Sequence, residues 1–172
     1  MITRADVDAA AVRIAGRTRR TPVLRLDDGT AAGPVWVKLE LLQHTGTFKA
    51  RGAVNRVLGA AERGELDPGV GIVVASGGNA GLANAWAAAA VGVPATVFVP
   101  TTAPRVKVDR LRQLGATVVQ EGGEYAAAYA AAVEHATATG AVYCHAYDQP
   151  EIAAGAGTLA LELLEDLSLI HI

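Results

Sequence analysis

Lys49 stands where an extended run gives way to a helix. Val35-Trp36-Val37-Lys38-Leu39 has the composition of a strand, and an Ala/Val/Leu-rich helical run starts near Phe48. An amine placed there meets the positive end of the helix dipole and a set of unpaired N–H groups. That field discourages an ammonium from holding its proton. A neutral amine is what Schiff-base chemistry with a carbonyl compound requires. Position alone equally describes a lysine on a solvated face, the commonest setting for the residue.

A second group with chemical potential is Ser76-Gly77-Gly78-Asn79-Ala80-Gly81, between an apolar run and a helical one. Glycines let backbone N–H groups approach a ligand closely, and a helix N-terminus favours an anion. A carboxylate fits such a nest, and Asn79 offers both a donor and an acceptor. Two other readings compete. The loop could be a tight strand-to-helix turn whose glycines only meet steric needs. It could also imitate a dinucleotide fingerprint, but that site needs an acid about 20 residues on, at the end of the next strand. That strand ends in Val99-Pro100-Thr101, so the dinucleotide reading fails.

Taken from Lys38 to Ala53, the pattern Lys-x-Glu-x-x-Gln-x-Thr-Gly-Thr-Phe-Lys-x-Arg-Gly-Ala closely resembles the cofactor-lysine segment of fold type II pyridoxal-phosphate (PLP) enzymes. This group includes the serine and threonine dehydratases and serine racemase. The resemblance implies an α/β fold of parallel sheets flanked by helices, similar to the tryptophan synthase β chain. It implies that Lys49 carries PLP covalently and that Phe48 packs beside the cofactor ring. It also implies that Asn79 contacts the ring oxygen, while Ser76, Gly77, Gly78 and Ala80 bind the substrate carboxylate.

The activity implied is a dehydratase (ammonia-lyase) converting L-threonine or L-serine to a 2-oxo acid and ammonia, within amino-acid metabolism such as isoleucine biosynthesis. Lys49 would act as general base at Cα once the substrate amine has displaced it. Many members have Asn-His where this chain has Asn79-Ala80, so no imidazole can act there; Asn-Ala-Gly resembles the serine dehydratase branch. Serine racemase has a second serine at the position of Gly77. Glycine cannot transfer a proton, so deamination is expected over racemisation. β-Replacement or threonine-synthase chemistry, and a ligand-binding module without catalysis, stay open.

The remaining composition excludes several classes. With 51% hydrophobic and 19% charged residues the chain is globular. A net charge of −2 leaves no basic footprint for nucleic acid or an anionic membrane. The single cysteine, Cys144, cannot form an internal disulfide and suits a buried strand end. His44, His135, His145 and His171 lack metal-ligand spacing, so no metal is expected. Arg4, Asp6, Asp8 and Arg13 interrupt any signal-peptide core, and no apolar run approaches the roughly 18 residues of a membrane span. The expected setting is the cytoplasm. The expected partner is a small amino-acid substrate, with a homodimer implied for the full-length enzyme.

The elements that must position these groups follow from periodicity. Thr3-x-x-Asp6 is a capping-box variant, and Val7, Ala10, Ala11 and Ile14 make one helical stripe that Gly16 closes. Arg17, Arg19 and Arg20 suit a helix C-terminus. Thr21–Leu24 is extended because Pro22 disfavours helix at Thr21. From Gly71 the pattern alternates. Apolar runs 72–75, 95–99, 117–119 and 141–144 are separated by helices over 79–91, from Pro104 to Leu114, and through Tyr125, Tyr129, Ala132, Val133 and Ala136. Continuously apolar strands alternating with helices mean a parallel sheet covered on both faces. Trp36 and Trp86 fall on core-facing positions. Residues 53–147 are expected to form a small βα domain, with 1–52 and 148–172 contributing part of a large PLP domain.

A last helical run, Gly155–Leu164, is followed by Leu167-Ser168-Leu169-Ile170-His171-Ile172 without a terminating feature. The resemblance fades from Ser168. In the family, the glycine-rich loop for the cofactor phosphate and the group facing the pyridine nitrogen lie further on. A truncated product with a foreign tail, binding PLP weakly, is therefore expected.

Overall fold

The computed structural model describes residues 1–26 and 34–168; the expectations for His171 and for the tail after Ser168 fall outside them. Helix α1 (Arg4–Ile14) opens with the capping box foreseen from Thr3 and Asp6 and buries Ala10 and Ile14. An antiparallel pair follows, β1 (Val23–Leu26) with β2 (Val35–Lys38). Two short 3₁₀ turns, Glu40–Leu42 and His44–Gly46, then lead into α2 (Lys49–Glu62).

The main sheet contains β3 (Ile72–Ala75), β4 (Ala95–Val99), β5 (Thr117–Gln120) and β6 (Val142–Tyr143). All its pairings are parallel and its order is β5-β4-β3-β6. The connecting helices are α3 (Asn79–Val91), α4 (Arg105–Gln113) and α5 (Tyr125–Thr139), and α6 (Pro150–Asp166) comes last. Every residue of the central β3 is buried, and the two sides of its pleat feed different cores. Ile72 and Val74 pack with α2, α3 and α4, whereas Val73 and Ala75 pack with Phe98 and with Ala128 and Ala132 of α5. That double coverage is why the run shows no alternation of polar and apolar residues.

Several expectations are corrected. Trp36 is about half exposed, because β1 and β2 have a solvent-facing side, and the Arg25 guanidinium lies 5.8 Å from its ring centroid. Trp86 does pack against the main core as expected, partly buried and with its ring stacked on His44 at 4.3 Å. On α5, Ala128 and Ala132 pack on the sheet, His135 lies 5.4 Å from the Phe98 ring and Tyr129 meets Tyr143 edge-on at 6.1 Å, while Tyr125, Tyr129 and Val133 keep exposed surface. The arginines after α1 bridge other segments: Arg17 donates to Ala90 O, Arg19 to Leu42 O, and Arg20 pairs with Glu165 and Asp166. α6 begins at Pro150, where a missing N–H is harmless, rather than at Gly155.

α2 is the hub of the fold, packing on α1, α3 and α6. Its crossing with α6 is close because both helices carry glycine there. A Cβ on Gly155 would lie 2.6 Å from Arg51 O and 2.8 Å from the Gly52 Cα. The boundary expected after residue 52 falls inside α2.

Candidate active site

The segment before Lys49 is held by its backbone. Thr45 (φ 61°) and Gly46 (φ 77°) are successive left-handed residues, and a β-branched residue rarely adopts that conformation. Strain of this kind tends to gather at functional sites. The turn delivers Phe48 as N-cap and Lys49 as first residue of α2, and no side chain caps that helix end. The placement inferred from sequence thus holds.

Arg51, two residues on, is buried and anchors this helix end. Its Nε and Nη2 fork onto Glu40 at 2.9 and 2.8 Å, and Nη1 reaches Glu162 Oε1 of α6 at 2.7 Å. Lys38 Nζ adds a 2.7 Å contact to Glu162 Oε2. Burial by itself would lower the Arg51 pKa, but the bonds to the two carboxylates outweigh it and raise it. Burial likewise pushes the Glu162 carboxyl up, while the bonds from Arg51 and Lys38 hold it below the usual carboxylate value.

The Lys49 side chain is partly buried, with Nζ donating to Ala146 O at 2.9 Å and lying 5.6 Å from the Phe48 ring centroid. The loop that brings Ala146 is itself pinned, because His145 Nδ1 accepts from the N–H groups of Tyr147 and Asp148. Lys49 and Phe48 open onto a cavity of about 310 Å³ shared with Ala80, Asn84, Ala146 and Ile152. The walls are mainly apolar.

Of the loop residues inferred from sequence, Ala80 lines this cavity, whereas Ser76, Gly77, Gly78 and Asn79 are not among its lining residues. Asn79, the first residue of α3, is exposed. Ser76 Oγ accepts from Gly78 N–H at 3.2 Å and so shapes the turn. Gly81 packs directly on Ser76 O, leaving no room for a Cβ, and Gly78 at the α3 N-cap position receives no side-chain cap. The first N–H groups of α3 are therefore free of side-chain competition for an anion.

Sequence reasoning passed over Ala146 and Asn84. The first contributes a backbone carbonyl, which no residue pattern announces. The second had a signal: an amide in the Ala-rich run of α3, one helical turn after Ala80. Asn84 is buried, and its Oδ1 has no partner among the described residues. An amine beside an aromatic ring, at the rim of an apolar cavity with an unmet acceptor, fits an aldehyde-bearing ring compound.

Comparison with known proteins agrees. The family model described as "Pyridoxal-phosphate dependent enzyme" matches residues 14–171. An L-threonine ammonia-lyase of Thermotoga maritima is 38% identical over 169 residues, covering 97% of this chain and 41% of that protein. A threonine deaminase of known crystal structure, from the organism abbreviated T.th., superposes with a TM-score of 0.86 at 35% identity, covering 99% of this chain and 53% of the other. Maize serine racemase gives 0.90 at 30% identity, covering 97% and 50%. The chain thus spans about half the length of the relatives it matches. By its lysine segment, its parallel sheet and the family match along most of its length, the chain belongs to the pyridoxal-phosphate dependent enzymes of fold type II.

Proposed function

We propose that the protein is a dehydratase (ammonia-lyase) acting on L-threonine or L-serine. The observation that carries this reading is the Lys49 amine at the head of α2, opening onto a cavity that Ala80 of the α3 N-terminus also lines. Lys49 is the residue that would hold PLP covalently, with Phe48 against the ring and Asn79 near its ring oxygen. When bound, the cofactor supplies an electron sink for charge developing at Cα. The residues of this chain do the rest. The Ser76–Ala80 turn, with the uncapped end of α3, binds the substrate carboxylate and orients the Cα–H bond. The Lys49 amine removes the Cα proton as general base, and apolar walls keep water from the reacting carbon. Gly77 has no group to return a proton on the opposite face, which favours elimination of the β-hydroxyl over racemisation.

The test is chemical. Incubation with PLP followed by borohydride should place a pyridoxyl label on Lys49, and Lys49→Ala should take none. Labelling elsewhere, or equal labelling of the variant, rejects the assignment. Because the chain spans about half of its relatives, weak PLP affinity and little turnover are expected from these 172 residues. Robust turnover would overturn that part. Product analysis with threonine, serine and phosphohomoserine separates dehydration from β-replacement and threonine-synthase chemistry. Label without any product from the full-length protein marks a ligand-binding module.

The same reading includes a small domain over 53–147 set against partial large-domain segments 1–52 and 148–172. It also includes a homodimer for the full-length enzyme, a cytoplasmic setting and a role in isoleucine biosynthesis. Sedimentation of the full-length protein, fractionation of its source cells and the growth requirement of a deletion strain test the last three.

A further inference from the structure

Asn84 is unexplained by packing. It sits in the buried face of α3 among Ala80, Ala83, Ala85, Ala87 and Ala88, where alanine is the better helix former and has no polar group to satisfy. Its Nδ2 donates to Ala80 O at 2.9 Å, which fixes the orientation of the amide and leaves Oδ1 as the uncommitted end. Only 2% of the residue is exposed, so bulk water does not reach it, and Oδ1 has no donor among the described residues. Asn84 nonetheless lines the Lys49 cavity, whose volume of about 310 Å³ suits a small organic ligand. That is far more than the ~30 Å³ that one water occupies in the liquid. That wall also holds Lys49, His145 and Tyr147; Lys49 Nζ is bound to Ala146 O, and His145 Nδ1 accepts from the N–H groups of Tyr147 and Asp148.

We propose that Asn84 is a specificity-determining residue of the Lys49 cavity: its Oδ1 accepts a hydrogen bond from the side chain of the bound amino acid, favouring a hydroxyl over an isosteric methyl. This rests on the reading that the cavity receives an amino acid. The physical basis is asymmetric. A site built around a buried acceptor rejects an analogue that leaves the acceptor unpaired, whereas a wholly apolar pocket discriminates weakly between the two. L-Threonine and L-valine differ by this replacement of hydroxyl by methyl.

The experiment measures how much amino acid protects Lys49 from PLP–borohydride labelling, with thermal shift as a readout that needs no label. In the wild type, L-threonine should protect at a concentration lower than L-valine by about tenfold or more. In Asn84→Ala and Asn84→Leu that ratio should fall to near one, largely through tighter valine binding. Asn84→Ser, which keeps an acceptor, should retain part of it. Asn84→Ala leaves space rather than filling it, so it reports even if Asn84→Leu folds poorly. An unchanged ratio, or an equal loss for both ligands, overturns the inference. Labelling of Lys49 without hydroxyl discrimination overturns it too, while leaving the proposed function standing. A hydroxyl-dependent thermal shift that disappears in Asn84→Ala supports it even if Lys49 takes no label, in which case the proposed function alone fails.

Discussion

Replacing Arg51 by methionine would remove the cation that ties α2 to the loop before it and to α6. The side chain is 1% exposed and holds Glu40 and Glu162, themselves 11% and 14% exposed. Breaking a buried pair by deleting one partner leaves uncompensated charge and typically destabilises by 3–5 kcal/mol. The lower end applies here, because both carboxylates keep a second partner. Lys38 remains 2.7 Å from Glu162, and the Thr21 hydroxyl donates to Glu40 at 2.6 Å. A loss of about 3 kcal/mol is expected at pH 7. For a chain of this size that is a fall in Tm of roughly 6–12 °C.

The sign of the pH dependence separates this cause from simple loss of packing. A carboxyl whose folded pKa is depressed adds stability above its unfolded pKa, near 4.5 for Glu162. That stability disappears as pH falls through the folded value. In Arg51→Met the carboxylates lose their main cation and take up protons at higher pH. The stability gap between wild type and variant should therefore narrow as pH drops from 7 toward 4. Urea unfolding followed by circular dichroism at several pH values provides the measurement. A variant as stable as wild type at pH 7, or a gap that stays constant or widens on acidification, would refute the electrostatic argument.

Other outcomes follow from packing and burial. Gly155→Ala should destabilise by about 1–3 kcal/mol, the usual range for overpacking, because the new Cβ meets Arg51 O at 2.6 Å and Asn55 Cβ at 2.8 Å. Gly123→Ala, with nothing within 4 Å of its Cβ, should be neutral or slightly stabilising in the same melts; equal effects would disprove the tight helix crossing. Cys144 is buried, and its thiol is pushed up to about 12, chiefly by that burial. Iodoacetamide at pH 8 should leave the folded protein unmodified and react fully once it is unfolded in urea. Rapid alkylation of the native state would place the thiol at the surface.

Short-range signals in the chain were sufficient for much of this architecture. The capping box at Thr3 and Asp6, the apolar run 72–75 and the helix starting at Lys49 depend on neighbours a few residues away, so local pattern reports them directly. The same holds in part for the Ser76–Gly81 turn: Gly81 answers a local steric demand from Ser76 O, whereas the close neighbour of Gly77 is Val99 on β4. Exposure was less legible. Trp36 and the tyrosines of α5 have apolar spacing, but whether a face is covered depends on what folds over it, and these stay exposed beside partial neighbours such as Arg25 over Trp36 and Tyr143 against Tyr129.

What the residue order determined by itself was chemical identity: a lysine able to open a helix, a glycine turn able to take an anion, and strands apolar enough to need cover on both faces. What only the folded chain decided was partnership. Lys49 meets a backbone carbonyl 97 residues away, Arg51 meets Glu162 across 111, and Asn84 is left with an acceptor that no protein group satisfies among the described residues. Such pairings depend on how α2, α3 and α6 cross, and the close approach of Gly52 to Gly155 sets that for α2 and α6. Local periodicity carries no record of it, because contact between distant segments is fixed by packing of the whole and not by any one stretch.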